Sequence, residues 1–355
     1  TNKLRMKFIN KLRKNSDEVF GKTFKRYSKK EIIEFIQPFK TRFKKNKINP
    51  KKTFKGKSVL DYGCGNGRGA LFMAINGAKD LHAMDISKIN TYKTRKTLNQ
   101  FNYKIKTYQS PAEKSPFKDN AFDFVWCNGV IMHTHTPSKV ISEIFRVLKP
   151  GGQSWIYVYG SDGIWWNIIY KLRKNLKKYK ESMIINCLQD LGYQNRFIAE
   201  YLDDWKVMNL RTYKAKIFEN SMKELGGNKI KKLRRGVKYD TSEKLFNTGN
   251  KILFGEGDLR YLVSKSSDKK STKKRSLKFT KKLNSNHHKD HKKFIKYSKI
   301  IDWIIGNCKN SAKKKIYVSA KIQFMLRKLL DQKTFNEKKF YKFVESLKSD
   351  KFLSK

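Results

Sequence analysis
Between residues 57 and 160 short apolar runs alternate with segments of helical spacing. Ser58–Tyr62, Leu81–Asp85, Lys104–Tyr108, Phe122–Cys127 and Gln153–Tyr159 read as strands. Helices are predicted from about Arg68, from about Ile89 and over Ser138–Leu148. Helices lying between short apolar strands imply an α/β, doubly wound, mostly parallel sheet. Lys149-Pro150-Gly151-Gly152 should end the last of these helices and turn into the next strand. Upstream, Ser28–Lys44 places Ile32, Phe35, Ile36 and Phe39 at helical spacing behind a Ser28 cap. Pro38 is expected to bend or interrupt that helix, whose first role should be packing on the core.

The chemistry lies at the strand ends. Val59–Gly67 reads VLDYGCGNG: a strand ending in Asp61 that breaks into Gly63, Gly65 and Gly67. Alternating glycines let the backbone turn tightly and come close to a ligand. Leu81–Ser87, LHAMDIS, is a second strand ending in Asp85, at about the distance where a carboxylate can accept from ribose hydroxyls. Pro111–Val130 and EIFRVLKPGG (Glu143–Gly152) follow in order. With these four motifs the chain resembles the class I S-adenosylmethionine-dependent methyltransferases, in particular the ubiquinone/menaquinone-type group, over roughly Lys57–Gly160 and more weakly to Lys265.

The resemblance implies a Rossmann-like sheet of seven strands, with Lys229–Arg234 and Leu259–Val263 as antiparallel edge strands. It implies S-adenosyl-L-methionine as cofactor, with S-adenosyl-L-homocysteine as product. Gly63, Cys64, Gly65 and Gly67 would cradle the methionine portion, and Asp61 would sit near its amino group. Asp85, with Ile86 beside it, would take the ribose; Ala112 and Glu113 would flank the adenine; Asn128 would face the sulfonium and the acceptor. Many relatives carry Asp-Ala-Glu where this chain has Pro111-Ala112-Glu113, so the adenine amino contact must come from Ser110, backbone or water. Glu113 can equally be a residue of a surface turn, and Asp123 is expected to anchor the start of its strand.

The acceptor is less legible. Cys127-Asn128-Gly129-Val130 stands where amino-methylating nucleic-acid enzymes carry [DN]-P-P-[FY], and no Pro-Cys pair is placed for cytosine-C5 chemistry. Both features weigh against base methylation. His133, in VIMHTHTP, is the candidate general base because an imidazole titrates near operating pH; His135 is a weaker one. Either could instead cap the following helix or hydrogen-bond the lid. The expected reaction is methyl transfer to a small-molecule or lipid-like acceptor, at oxygen or carbon. An RNA or ribosome-associated methyltransferase gripping phosphate through basic flanks is the second reading, and a non-catalytic scaffold that kept the cofactor fold is the third.

Charge bears on that choice. The 355 residues carry a formal net charge of +52. Residues 57–160 hold 14 basic and 7 acidic residues, whereas residues 1–56 hold 19 and 4, so the excess lies in the flanks. Such a field draws polyanions, RNA or anionic lipid, without sequence preference. Lysines number 67 against 15 arginines, however, and base readout and bidentate phosphate recognition favour Arg. Compositional bias is therefore the simpler source. Four scattered cysteines and no C-x-x-C argue against a zinc or disulfide framework and suit a reducing cytoplasm, with peripheral membrane contact left open. No apolar run is long enough to span a bilayer, and the N-terminus lacks the pattern of a secretory leader.

The chain thus divides into a basic helical extension (1–56), a methyltransferase-like domain (57–264), a Lys/Ser-rich linker (265–290) and a basic helical C-terminal region (291–355). Within the domain, residues 161–212 form a helical insertion. Its Trp165, Trp166 and Tyr170 suggest a lid over the acceptor rather than a subdomain that only packs. His287, His288 and His291 with Asp290 resemble a ligand set, but in a charged linker no metal site is expected. Removal of residues 265–355 should spare cofactor binding.

Overall fold
A computed structural model describes residues 2–24, 27–267, 278–289, 294–308, 311–330 and 337–347. Seven strands form one sheet: β1 (Ser58–Tyr62), β2 (Asp80–Asp85), β3 (Lys106–Gln109), β4 (Phe122–Asn128), β5 (Leu148–Tyr159), β6 (Gly227–Lys232) and β7 (Asp258–Lys265). Their order is β3-β2-β1-β4-β5-β7-β6. The first five pair in parallel; β7 lies antiparallel to both β5 and β6. The chain reverses its direction of travel across the sheet between β1 and β4, which opens a crevice beyond their carboxyl ends.

The apolar periodicity explains the layers. β1 and β4 are almost wholly buried, as expected for strands covered on both faces. On one face the helices Lys29–Lys45 and Arg68–Ile75 bring Phe39, Phe43 and Phe72 against Trp126 and Trp155. The two indoles stack at 4.9 Å and 6°, and Phe43 stacks on Trp155 at 5.3 Å. On the other face Pro137–Val147 and Ala215–Glu224 bury Ile141, Ile144, Phe218 and Met222.

The Lys29–Lys45 helix begins as expected, with Ser28 and Glu31 forming a reciprocal capping box. It does not break at Pro38. Pro38 removes one backbone donor, but the residues after it are fixed from outside the helix: Phe43 among the aromatics, and Arg42 in a two-pronged ion pair with buried Asp240 at 2.6 and 2.8 Å. Arg260 also donates to Asp240, joining this helix to β7.

Three helices, Ile164–Leu176, Glu181–Asp190 and Asn195–Lys206, make up most of the insertion. They pack against the C-terminal helices Phe294–Asn307 and Ala312–Leu330 in one continuous cluster that includes Ile169, Leu172, Leu202, Trp205, Ile301, Ile305, Ile316 and Leu326. Gln323 is buried there, accepting from Trp205 Nε1 at 2.7 Å and donating to Asp204 at 2.5 Å. The described C-terminal helices thus share one core with the insertion. Residues 268–277 of the proposed linker lie outside the described residues. Among the described residues no helix is long and apolar enough to cross a membrane.

Candidate active site
The glycine turn after β1 is built from backbone constraints. Gly63, Gly65 and Gly67 have φ of +81°, +54° and +82°, a region that side chains strain to enter. At Gly63 a Cβ would lie 2.3 Å from Val130 Cγ2, so the turn also sits hard against the segment after β4. Gly67 serves a different purpose from the one expected: it is the left-handed residue before the Arg68–Ile75 helix and packs on Thr94. It does not line the cavity that the other motif residues share.

That cavity, about 230 Å³, opens where β1, β2 and β4 end. Asp61, Gly63, Cys64, Gly65, Asp85 and Ile86 line one end, with Ser110, Ala112, Glu113 and Asn128 beside them. Ten of the eleven site residues expected from the sequence therefore meet in one space, His133 included. Asp85 is largely committed to its own loop: Oδ1 accepts from Ser87 N–H and Asn90 Nδ2, and Oδ2 from Gly65 N–H at 3.0 Å. Each carboxylate oxygen can accept about two donors, so Oδ2 keeps capacity for one more. Asp61 Oδ2 accepts from Ala70 N–H at 2.7 Å. Asn128 Oδ1 accepts from Trp155 Nε1 at 3.1 Å.

Two buried carboxylates close together are costly without a cation. Burial, offset by the Ala70 N–H and then reinforced by the charge of Asp85, pushes Asp61 up to about 7. Burial likewise raises Asp85. Burial also pushes the Cys64 and Cys127 thiols upward, which removes both as thiolate nucleophiles.

Glu113 is a loop-holding residue: its Oε1 accepts from His135 and Thr136 N–H at 2.8 and 3.2 Å. Asp123 accepts from Ser58 N–H at 2.9 Å and pairs with Lys149, at the root of β1 and β4. His135 packs its ring on Phe8, 4.2 Å between centroids.

The far end of the cavity was not legible in the motifs. The helix Asn2–Ser16 and the π-turn Asp17–Gly21 close over it, contributing Leu12, Asn15, Ser16 and Phe20. Asn15 clasps the insertion, donating to Lys206 O at 3.0 Å and accepting from Met208 N–H at 2.6 Å. From the insertion come Asp203, Val207 and Met208. The insertion reaches the cavity through these residues and not through its tryptophans: Trp166 is buried, and Trp165 partly buried, in the cluster the insertion shares with the C-terminal helices.

His133 sits between these parts with both ring nitrogens engaged. Nδ1 lies 2.9 Å from the carbonyl of Asn209, which can only accept, so Nδ1 carries a proton. Nε2 faces Asp203 Oδ1 at 3.3 Å, and Asp203 Oδ2 accepts from the Tyr159 hydroxyl. The expected general base thus turns Nδ1 to the Asn209 carbonyl and Nε2 to Asp203 within the cavity. Asn209 and Arg211 also donate to the carbonyls of His133, Thr134 and His135. Behind them Asn286 accepts from the Thr212 N–H, and His287 donates its N–H to the Thr212 carbonyl. His287 Nδ1 accepts from Lys214 N–H. Asp290 and His291 lie outside the described residues.

Residues 60–156, which carry the crevice and its two carboxylates, match the family model described as a methyltransferase domain. They form a class I S-adenosylmethionine-dependent methyltransferase domain. The chain is 34% identical over 100 residues to a sarcosine/dimethylglycine N-methyltransferase of Aphanothece halophytica, covering 27% of this chain and 36% of that one. It is 36% identical over 110 residues to a tRNA U34 carboxymethyltransferase of Campylobacter curvus (30% and 36% covered). It is 33% identical over 112 residues to a ubiquinone biosynthesis O-methyltransferase of Pseudomonas putida (30% and 47%). The chain thus spans between about a third and a half of the length of these relatives.

The cofactor of this methyltransferase domain is S-adenosylmethionine, and the residues present fit it. The turn at Gly63 and Gly65 exposes backbone, Asp85 retains acceptor capacity, and the buried Asp61–Asp85 pair calls for a positive charge, which a sulfonium amino acid brings. A cation beside Asp61 favours its carboxylate form, so binding should release a proton where the free protein holds one. We expect cofactor affinity to rise from pH 6 to pH 8. Titrations at pH 6.5 in buffers of different ionisation enthalpy should reveal proton release, and buffer-independent heats would count against it. The sign for the unliganded protein follows from the same upward shift. Stability contributed at low pH is lost as pH rises from the ordinary carboxylate value, about 4, through about 7.

Proposed function
We propose that the chain transfers the methyl group of S-adenosylmethionine to a small organic acceptor held at the His133–Asp203 end of the cavity. The observation that carries this reading is continuity: one cavity runs from the glycine turn and Asp85 to residues of the N-terminal helix and the insertion. When bound, the cofactor supplies an activated methyl group, so the protein's task is orientation and exclusion of water. Orientation of this kind contributes on the order of 7–11 kcal/mol. Asn128 and Val130, at the end of β4, stand between the two ends. Phe20, Leu12 and Met208 cover the acceptor side with apolar surface.

The relatives' names include nitrogen and oxygen acceptors, and one acts on tRNA, so they do not choose the acceptor atom. The sequence-based preference for oxygen or carbon drew on the motifs missing after β4 and on an imidazole base, whose Nδ1 meets the Asn209 carbonyl. Closure of the cavity by two helical segments favours a small acceptor over a polynucleotide.

Incubation of the protein with methyl-labelled cofactor and a fractionated cell extract tests the proposal. Label should enter the small-molecule fraction. Label confined to RNA would overturn the acceptor class, and failure to bind S-adenosylhomocysteine would overturn the reading as a whole.

A further inference from the structure
The acceptor end of the cavity differs in character from the rest of the chain. The chain carries a formal net charge of +52, yet Asp203 is the charged group that the insertion contributes to this cavity. The cationic side chain at the opposite end, Arg68, lies over the rings of Phe35 and Phe39, 5.8 and 5.7 Å from their centroids. Aromatic residues line this end of the cavity together with Asp203. Tyr159 is 5.9 Å from the His133 ring and 5.8 Å from Tyr157, each nearly edge-on, and Phe20 is 6.1 Å from His133.

The carboxylate is held in place. The Tyr159 hydroxyl donates to Oδ2, which fixes its orientation and costs it no charge. Oδ1 lies in ion-pair range of His133 Nε2, 3.3 Å away, and makes no hydrogen bond of its own, so it keeps acceptor capacity. Electron-rich ring faces around a fixed carboxylate are the elements that recognise an organic cation: the rings attract it through their quadrupoles, and the carboxylate provides a charge-assisted contact.

We infer that Asp203, which lines the cavity with Tyr159 and Phe20, is a specificity-determining residue that receives a cationic nitrogen of the acceptor, an ammonium or a substituted ammonium. The inference rests on the reading of the cavity as a methyl-transfer site. It names the substrate class as amine-bearing, and it sets the site against phosphate-rich acceptors, which a carboxylate repels.

Choline and its uncharged isostere 3,3-dimethyl-1-butanol separate charge from shape. Binding of each is measured by calorimetry to the full-length protein saturated with S-adenosylhomocysteine, in the wild type and in Asp203→Asn. Wild-type protein should prefer choline by at least about ten-fold, and Asp203→Asn should reduce that preference to within about two-fold. Equal binding of the two probes by the wild type, or an undiminished preference in Asp203→Asn, would overturn the inference. So would the absence of binding by either probe at millimolar concentration. S-adenosylhomocysteine affinity is recorded for both proteins. If it is retained while charge discrimination is missing, only the amine assignment fails; if neither protein binds it, the methyl-transfer reading itself fails. Asp203→Glu, which keeps the charge, should retain most of the preference, and its loss there together with unchanged S-adenosylhomocysteine binding would count against a charge-based role.

Discussion
Asp85→Ala is expected to weaken S-adenosylhomocysteine binding by about 100-fold. Asp85 orders its own loop by accepting from Gly65, Ser87 and Asn90, and it retains room on Oδ2 for a ligand hydroxyl. A hydrogen bond to a charged group contributes about 1.5–3 kcal/mol, and 2.8 kcal/mol is about 100-fold in affinity. The loss should exceed that of a single ligand contact, because the Gly65 N–H loses the acceptor that sets the turn. Calorimetric titration reads the effect directly. Unchanged affinity would remove Asp85 from the ribose site, and a parallel melting curve separates lost contact from lost fold.

The second large effect is expected from truncation. A chain ending at residue 293 should lose its cooperative unfolding transition and aggregate. Ile301, Ile304, Ile305, Ile316, Ile322 and Leu326 are all buried against the insertion. Burial of each such side chain contributes about 1.5–3 kcal/mol, so the six together reach about 9–18 kcal/mol, comparable with the whole stability of a typical domain, about 5–15 kcal/mol. Truncation also strands Trp205 Nε1 and Asp204, whose buried partner is Gln323. An unaltered melting temperature and intact S-adenosylhomocysteine binding would show that these helices are an appendage after all. The substitution Gln323→Leu isolates the polar part and should cost less.

What could be read in advance depended on how local the signal was. The β1 turn is specified by three glycines and one carboxylate within seven residues, and its backbone angles follow from those residues alone. Asp85 follows in the same way from the end of the next strand. The acceptor end has no such economy. Asp203 and Tyr159 are 44 positions apart, and Asp203 lies on the Asn195–Lys206 helix, whose remaining inward residues, Ile198, Tyr201, Leu202 and Trp205, make an ordinary amphipathic pattern. Nothing in that pattern separates a carboxylate that lines a cavity from one that faces solvent. Asn15 is equally silent, because its partners are backbone groups about 190 residues away. The Trp165–Trp166 pair is ambiguous for the opposite reason: large aromatic rings mark burial, and here the burial is in the cluster shared by the insertion and the C-terminal helices.

The contact of Asn286 and His287 with Thr212 gives the far end of the chain a hold on chemistry it never touches. Thr212 follows Asn209 and Arg211, which brace the carbonyls of His133, Thr134 and His135. Anything that prised the 286–287 segment from its seat would slacken that brace, so a ligand for the tail would be felt as altered selectivity and not as altered cofactor uptake.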